Sequence, residues 1–245
     1  MIDVDRLVKR YGAFTAVDGL SFRVPKGTLF GFLGPNGAGK TTTMRMIAQI
    51  LRPTSGEIRI GGVATWEKPQ VIKQMIGYIP DRPYVYEKLT GAEFVRFVAA
   101  LYGQEGAGVE RRMNELLELF ELTPWRDELT ESYSHGMRQK LIIASAFAHR
   151  PEVIVVDEPM VGLDPRSART LKDLFRAYVN RGGTILMSTH TLEVAEGMCD
   201  RIAIIQRGQL VAEGTMAELR AQSRATASGS SRGAPENRAE SRADQ

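Results

Sequence analysis

The stretch Gly34-Pro35-Asn36-Gly37-Ala38-Gly39-Lys40-Thr41 decides how this 245-residue chain is read. It follows the short apolar run Leu29–Leu33 and opens a helical pattern over Thr41–Leu51, which Arg52-Pro53 stops. Glycines at these spacings let successive backbone N–H groups turn inward on phosphate oxygens, because no Cβ blocks the approach. The helix that follows points its positive end at the anion. Lys40 then reaches the β and γ phosphates, and the Thr41 hydroxyl is a magnesium ligand. The phosphate cradle is expected to comprise Gly34, Pro35, Asn36, Gly37, Ala38, Gly39, Lys40, Thr41 and Thr42.

Further along, Val153-Ile154-Val155-Val156-Asp157-Glu158 is an apolar run ending in two carboxylates. Buried parallel strands end at the ligand face of an α/β sheet. Asp157 is therefore expected near the magnesium, holding it through a water. Glu158, one residue on, is placed to polarise the water that attacks the γ phosphate.

The rest of the chain supplies the frame. Val4–Lys9, Leu20–Val24, Ile58–Ile60, Ile76–Ile79 and Thr184–Ser188 read as strands, and Arg201–Gln206 with Gln209–Glu213 as a hairpin about Arg207-Gly208. Between about 85 and 150 the period becomes helical. Thr90-Gly91-Ala92-Glu93 has a capping-box pattern, and two apolar stripes follow: Phe94, Phe97, Val98, Leu101, then Met113, Leu116, Leu117, Phe120. A third helix starts near Ser134 and carries Leu141, Ala144, Ser145 and Ala148. This segment reads as a helical lobe inserted into the core. From about Arg224 there is little to bury, and 221–245 reads as a disordered tail. With 43% apolar residues the chain can build one α/β domain. A net charge of +3, spread without a basic block, argues against nucleic acid as a partner. The lone cysteine fits a reducing compartment. No apolar run is long enough to span a bilayer, so a membrane role requires a partner.

Further residues resemble the ATP-binding cassette (ABC) transporter family, over roughly residues 2–220. Tyr133-Ser134-His135-Gly136-Met137 is similar to that family's signature, usually Leu-Ser-Gly-Gly-Gln. Gly162-Leu163-Asp164-Pro165 resembles its D-loop, Ser188-Thr189-His190 its switch histidine, and Tyr11 its adenine-stacking aromatic residue. The resemblance implies an α/β fold with a P-loop nucleotide-binding core, an antiparallel β subdomain and an inserted helical subdomain. It implies an ATPase with ATP and Mg2+, and a symmetric dimer in which Ser134 and Gly136 of one copy close on the phosphate loop of the other. The second copy is either this chain or a homologous ATPase subunit. A transmembrane permease subunit would be the membrane partner, with the chain cytoplasmic and peripheral on the inner face of the cell membrane. Glu158, His190 and Lys40 would carry the catalysis. The Tyr-Ser-x-Gly-Met variant looks like the ATPases of exporters with separately encoded membrane subunits. A soluble ABC ATPase and a non-hydrolysing nucleotide-gated scaffold are the rival classes.

One position departs from the family in a way that touches the chemistry. Ile76-Gly77-Tyr78-Ile79-Pro80 is followed by Asp81, where the family usually has the glutamine that binds magnesium and senses the membrane partner. Asp81 keeps a metal-binding oxygen but adds a charge near the γ phosphate. At ~4 Å and an effective dielectric near 20, that repulsion is about 4 kcal/mol. Either hydrolysis is slow, or Asp81 stands aside until the transporter engages.

Overall fold

A computed structural model describes residues 1–222. The chain opens with two antiparallel strands, β1 (Ile2–Tyr11) and β2 (Phe14–Val24), joined at Gly12-Ala13. β3 (Leu29–Leu33) is buried at every residue and runs into the glycine loop and α1 (Lys40–Ile47). β4 (Ser55–Ile60) pairs antiparallel with β1, and β5 (Val63–Ala64) follows it, giving a sheet of order β2-β1-β4-β5. α2 (Pro69–Met75) leads to β6 (Ile76–Ile79). The lobe is α3 (Gly91–Leu101), α4 (Ala107–Leu119) and α5 (His135–Ala148). The core then resumes with β7 (Val153–Asp157), α6 (Pro165–Asn180), β8 (Thr184–Thr189), α7 (Leu192–Met198) and the hairpin β9 (Arg201–Gln206) and β10 (Gln209–Gly214).

The second sheet has the order β10-β9-β3-β8-β7-β6, parallel except for the edge strand β10. Its central strands are apolar throughout because both faces are covered. On β7, Val153 and Val155 join the core shared with the antiparallel sheet, while Ile154 and Val156 join the core beneath the lobe. β8 splits the same way, Leu186 to one side and Ile185 and Met187 to the other. Register does the rest. Leu33 lies beside Thr189, and Asp157 beside Ser188, so β3, β8 and β7 deliver the glycine loop, the Ser188–His190 segment and the acidic pair to one edge.

Several elements differ from the sequence reading. α1 ends at Ile47, and the chain turns at Gln49, which has a left-handed φ of 59°. In α3 the capping box forms at Thr90 and Glu93, but the buried face is Ala92, Phe94, Val95 and Ala99. Phe97 and Leu101 are exposed; Phe97 instead lies edge-on to Tyr86, 5.3 Å between ring centres. α6 has no counterpart in the sequence reading. Asp164 caps it by accepting from Ser167 N at 2.9 Å, and Pro165 occupies its first position. Residues 216–222 are helical, so ordered structure runs past 220. The remainder of the segment read as a tail lies outside the described residues. Among those described, no helix is long and apolar enough to cross a membrane.

Candidate functional site

The glycine loop wraps one side of a cavity of about 290 Å3. Gly39 has φ 102°, and a Cβ there would come within 2.5 Å of the Ala16 carbonyl oxygen, so only glycine fits. The loop hands over to α1 without a side-chain cap, leaving the first-turn N–H groups free for an anion. Asn36, Gly37, Gly39, Lys40, Thr41 and Thr42 line the cavity. Gly34, Pro35 and Ala38 shape the loop from behind. Lys40 Nζ donates to the Gly34 and Pro35 carbonyls at 2.8 and 3.3 Å, and Ala38 is buried.

Opposite the loop stands Glu158, with φ 50°, a left-handed conformation that side chains rarely adopt. Its backbone N–H is shared between the Ser188 hydroxyl at 3.2 Å and the Ser188 carbonyl at 3.3 Å. Glu158 Oε1 lies 3.0 Å from His190 Nδ1 and 3.5 Å from Lys40 Nζ. Neither contact has hydrogen-bond alignment, so Oε1 keeps a lone pair available. The three candidate catalytic side chains thus meet around one carboxylate oxygen.

Asp157 is fully buried at the end of β7. Oδ1 accepts from the Ser188 hydroxyl, while Oδ2 has no partner. Burial pushes its carboxyl above the usual aspartate range, against the hydroxyls of Ser188 and Thr41. A buried carboxylate oxygen without a donor, next to Thr41 and the phosphate cradle, suits a small hard cation. Among the described residues no cluster of three acidic, His or Cys side chains is ready to hold a metal. Mg2+ is commonly bound by one or two carboxylates together with substrate phosphates. Asp81 also lines the cavity, and Arg45 Nη2 lies 3.8 Å from its Oδ1. The charge that Asp81 adds therefore has a cation against it.

Other expected residues lie elsewhere. Tyr11, at the end of β1, is half exposed, with Lys9 Nζ 5.2 Å from its ring centre. It does not line the cavity; its cross-strand neighbour Phe14 does. Ser134 caps α5 by accepting from Met137 N at 3.2 Å, and it is exposed; Gly136 is half exposed. Both belong to the lobe and neither lines the cavity of their own chain. His135 packs on Gly162, and Lys140 Nζ lies 3.7 Å from Asp164, so the signature segment is tied to the D-loop. A larger cavity of about 560 Å3, bordered by Arg112, Arg150 and Arg181, involves none of the phosphate-loop residues. Phe14, Arg45 and Ser188 were not anticipated as site residues.

Fold and site define a P-loop nucleoside triphosphatase carrying an inserted helical lobe. The sequence profile of the family described as ABC transporter matches residues 17–161. The chain belongs to that family and is one of its ATP-binding, ATP-hydrolysing subunits. It is 42% identical over 219 residues to the daunorubicin/doxorubicin resistance ATP-binding protein DrrA of Streptomyces peucetius, covering 89% of this chain and 66% of that one. It is 37% identical to the linearmycin resistance ATP-binding protein LnrL of Bacillus subtilis, over 89% and 70%. The chain therefore spans about two thirds of the length of these relatives. Among solved structures it is similar to an ATP-binding subunit of an ABC transporter, with a TM-score of 0.86, 35% identity, and 91% and 92% of the two chains covered. A dimeric cassette in a post-hydrolysis state with ADP and phosphate gives a TM-score of 0.81 at 25% identity, over 88% and 99%.

Proposed function

We propose that this ATPase is the motor of an exporter, working as a dimer beneath a separate permease subunit on the inner face of the membrane, with Mg2+ as its cofactor. The observation that carries the reading is the meeting of Lys40, Glu158 and His190 around one carboxylate oxygen, the first two lining the phosphate cavity, with the unpartnered Oδ2 of Asp157 on the residue before Glu158. Thr41, Asp157 and Asp81 are the residues that would hold the metal. When bound, the metal would offset charge on the β and γ phosphates. Lys40 leaves the Gly34 and Pro35 carbonyls for phosphate oxygens, and the cradle N–H groups orient the chain of phosphates. Glu158 takes the proton of the water attacking the γ phosphorus, and His190 holds that carboxylate in line. Adenine stacks on Tyr11, with Phe14 bordering the same side.

The dimer follows from what the cavity lacks. Ser134 and Gly136 are open to solvent at the start of α5, and a second copy facing head to tail would bring them over the γ phosphate. Loss of that phosphate removes contacts across the seam, so hydrolysis shifts the population from closed to open. Export is supported by relatives named for drug resistance and for Nod factor export. A partner face is supported by Tyr84, Tyr86 and Phe97, exposed aromatic residues of which the first two closely follow Asp81 in the chain.

Glu158→Gln tests the reading. The variant should bind ATP, release phosphate ~10²- to 10⁴-fold more slowly, as expected for loss of a general base, and elute as a dimer in ATP and Mg2+. A monomeric profile, or phosphate release at the wild-type rate, would overturn it.

A further inference from the structure

Asp81 borders the nucleotide cavity together with Lys40, Thr41 and Glu158. Arg45 comes to it from the last turn of α1, the helix that the glycine loop opens, and its Nη2 stands 3.8 Å from Asp81 Oδ1. The ammonium of Lys40 faces Glu158, so Arg45 is the cation that stands against Asp81. We propose that Arg45 is the resting partner of Asp81, a latch that competes with the metal ion for this carboxylate and so sets how much Mg2+ the nucleotide-bound protein requires. The proposal rests on the reading of Asp81 as a metal-side residue.

Two observations make the latch exchangeable. The contact is an ion pair at 3.8 Å rather than a hydrogen bond, and its side chains are 48% and 33% exposed, so it is weak enough to give way. Arg45 also has a second place to go. The Tyr78 hydroxyl, at the end of β6, is buried with no hydrogen-bond partner, and Arg45 is close enough to oppose the effect of burial on that phenol. A guanidinium with five N–H donors can turn from one oxygen to the other. Arg45 would therefore give up Asp81 to a cation and keep the Tyr78 hydroxyl as a partner, so that neither charge is stranded. Arg45 acts through Asp81 and is a positioning residue.

An exposed ion pair of this kind has an equilibrium constant of about 1.5 to 5. A competitor of that strength raises the Mg2+ midpoint by one plus that constant, about 2- to 6-fold. The test uses the full chain saturated with a non-hydrolysable ATP analogue and titrated with Mg2+, the midpoint being read from the melting temperature. Arg45→Gln should lower the midpoint about 2- to 6-fold, and Arg45→Lys, which keeps the charge, should stay near wild type. Asp81→Asn should raise the midpoint, and Arg45→Gln should then change nothing further. An equal shift in the Asp81→Asn background would mean that Arg45 acts on the phosphates directly, and the latch would be refuted. A midpoint that neither variant moves would refute it as well. Wild-type protein with no Mg2+-dependent stabilisation at all would remove the metal reading itself, and the latch with it.

Discussion

Ser188→Ala is the perturbation whose consequence follows most directly from the geometry. The Ser188 hydroxyl donates to Asp157 Oδ1 and accepts from the Glu158 N–H, so one oxygen positions both acidic residues. Ser188 and Asp157 are both fully buried. Removing the hydroxyl takes away the hydrogen bond that Asp157 Oδ1 receives and leaves Thr41 as the remaining hydroxyl acting on that carboxyl, while the Glu158 N–H retains the Ser188 carbonyl at 3.3 Å. A lost hydrogen bond to a buried charged group costs about 1.5–3 kcal/mol. Protonation limits that loss, because the Asp157 carboxyl is already pushed upward by burial and would rise further without its donor. We therefore expect a deficit of about 2 kcal/mol near neutral pH, or a melting temperature about 4–8 °C lower for a domain of this size. The pH dependence has a definite sign. A carboxyl raised above its unfolded value contributes fully at low pH and loses that contribution as pH rises through the folded value. The gap between variant and wild type should accordingly be small at acid pH and widen towards pH 8. Differential scanning calorimetry without nucleotide across that range measures it. A gap that does not change with pH, or a melting temperature within 1 °C of wild type at pH 8, would show that Ser188 does not hold the Asp157 charge.

Two further outcomes follow from other parts of the molecule. Ser134→Ala should leave nucleotide binding to the isolated chain intact yet slow turnover by ~10²-fold, the loss expected of a missing transition-state donor; an unchanged rate would remove Ser134 from the composite site. His149 is buried, stacked on Tyr102 at 3.7 Å, and held by desolvation at a pKa of about 4 rather than 6.5. Because the unfolded chain takes up the proton first, stability should fall as pH drops from 6.5 towards 4, by up to about 3 kcal/mol. His149→Phe, which keeps the stack, should flatten that stretch of the urea-denaturation profile; an unaltered acid limb would assign the loss to another group.

The elements legible in the sequence were those whose pattern and purpose coincide. A glycine loop after a buried strand, and two acids at the end of another, announce themselves because the backbone must be bare at Gly39 and the carboxylates must leave the sheet at its ligand edge. The register that sets Asp157 beside Ser188 is long-range, and no local pattern reveals it. For the same reason the sequence marks Ser188 only as a neighbour of His190. Phe14 was hidden by the turn at Gly12: strand pairing sets it opposite Tyr11, and of the two rings Phe14 is the one that lines the cavity. α6 could have been found, since Asp164-Pro165 is a helix start and Leu171, Phe175 and Val179 recur at helical spacing. The stripe read on α3 is half right, for a different reason. Of Phe94, Phe97, Val98 and Leu101, Phe94 and Val98 pack on the core, whereas the small residues Ala92 and Ala99 join Val95 on the buried face and Phe97 and Leu101 turn outward.

The charges of the site share a feature that bears on how it works. Lys40 is held by two carbonyls and faces Glu158; Asp81 faces Arg45; Asp164, beside the signature helix, faces Lys140. Nearly every charge that a nucleotide or a second copy would engage already has a partner within the chain. Engagement is then an exchange of partners. The desolvation that makes buried charges costly has been met in part during folding, so binding adds only the difference between old and new contacts. Asp157 Oδ2 is the exception, buried and unpartnered. It is the atom with most to gain from a cation, and on the proposed reading it would be the one that makes metal binding favourable while the other pairs remain close to balance. If the proposed dimer opens and closes with each hydrolysis, it needs that balance, because a site whose charges were all stranded until nucleotide arrived would bind too tightly to let go.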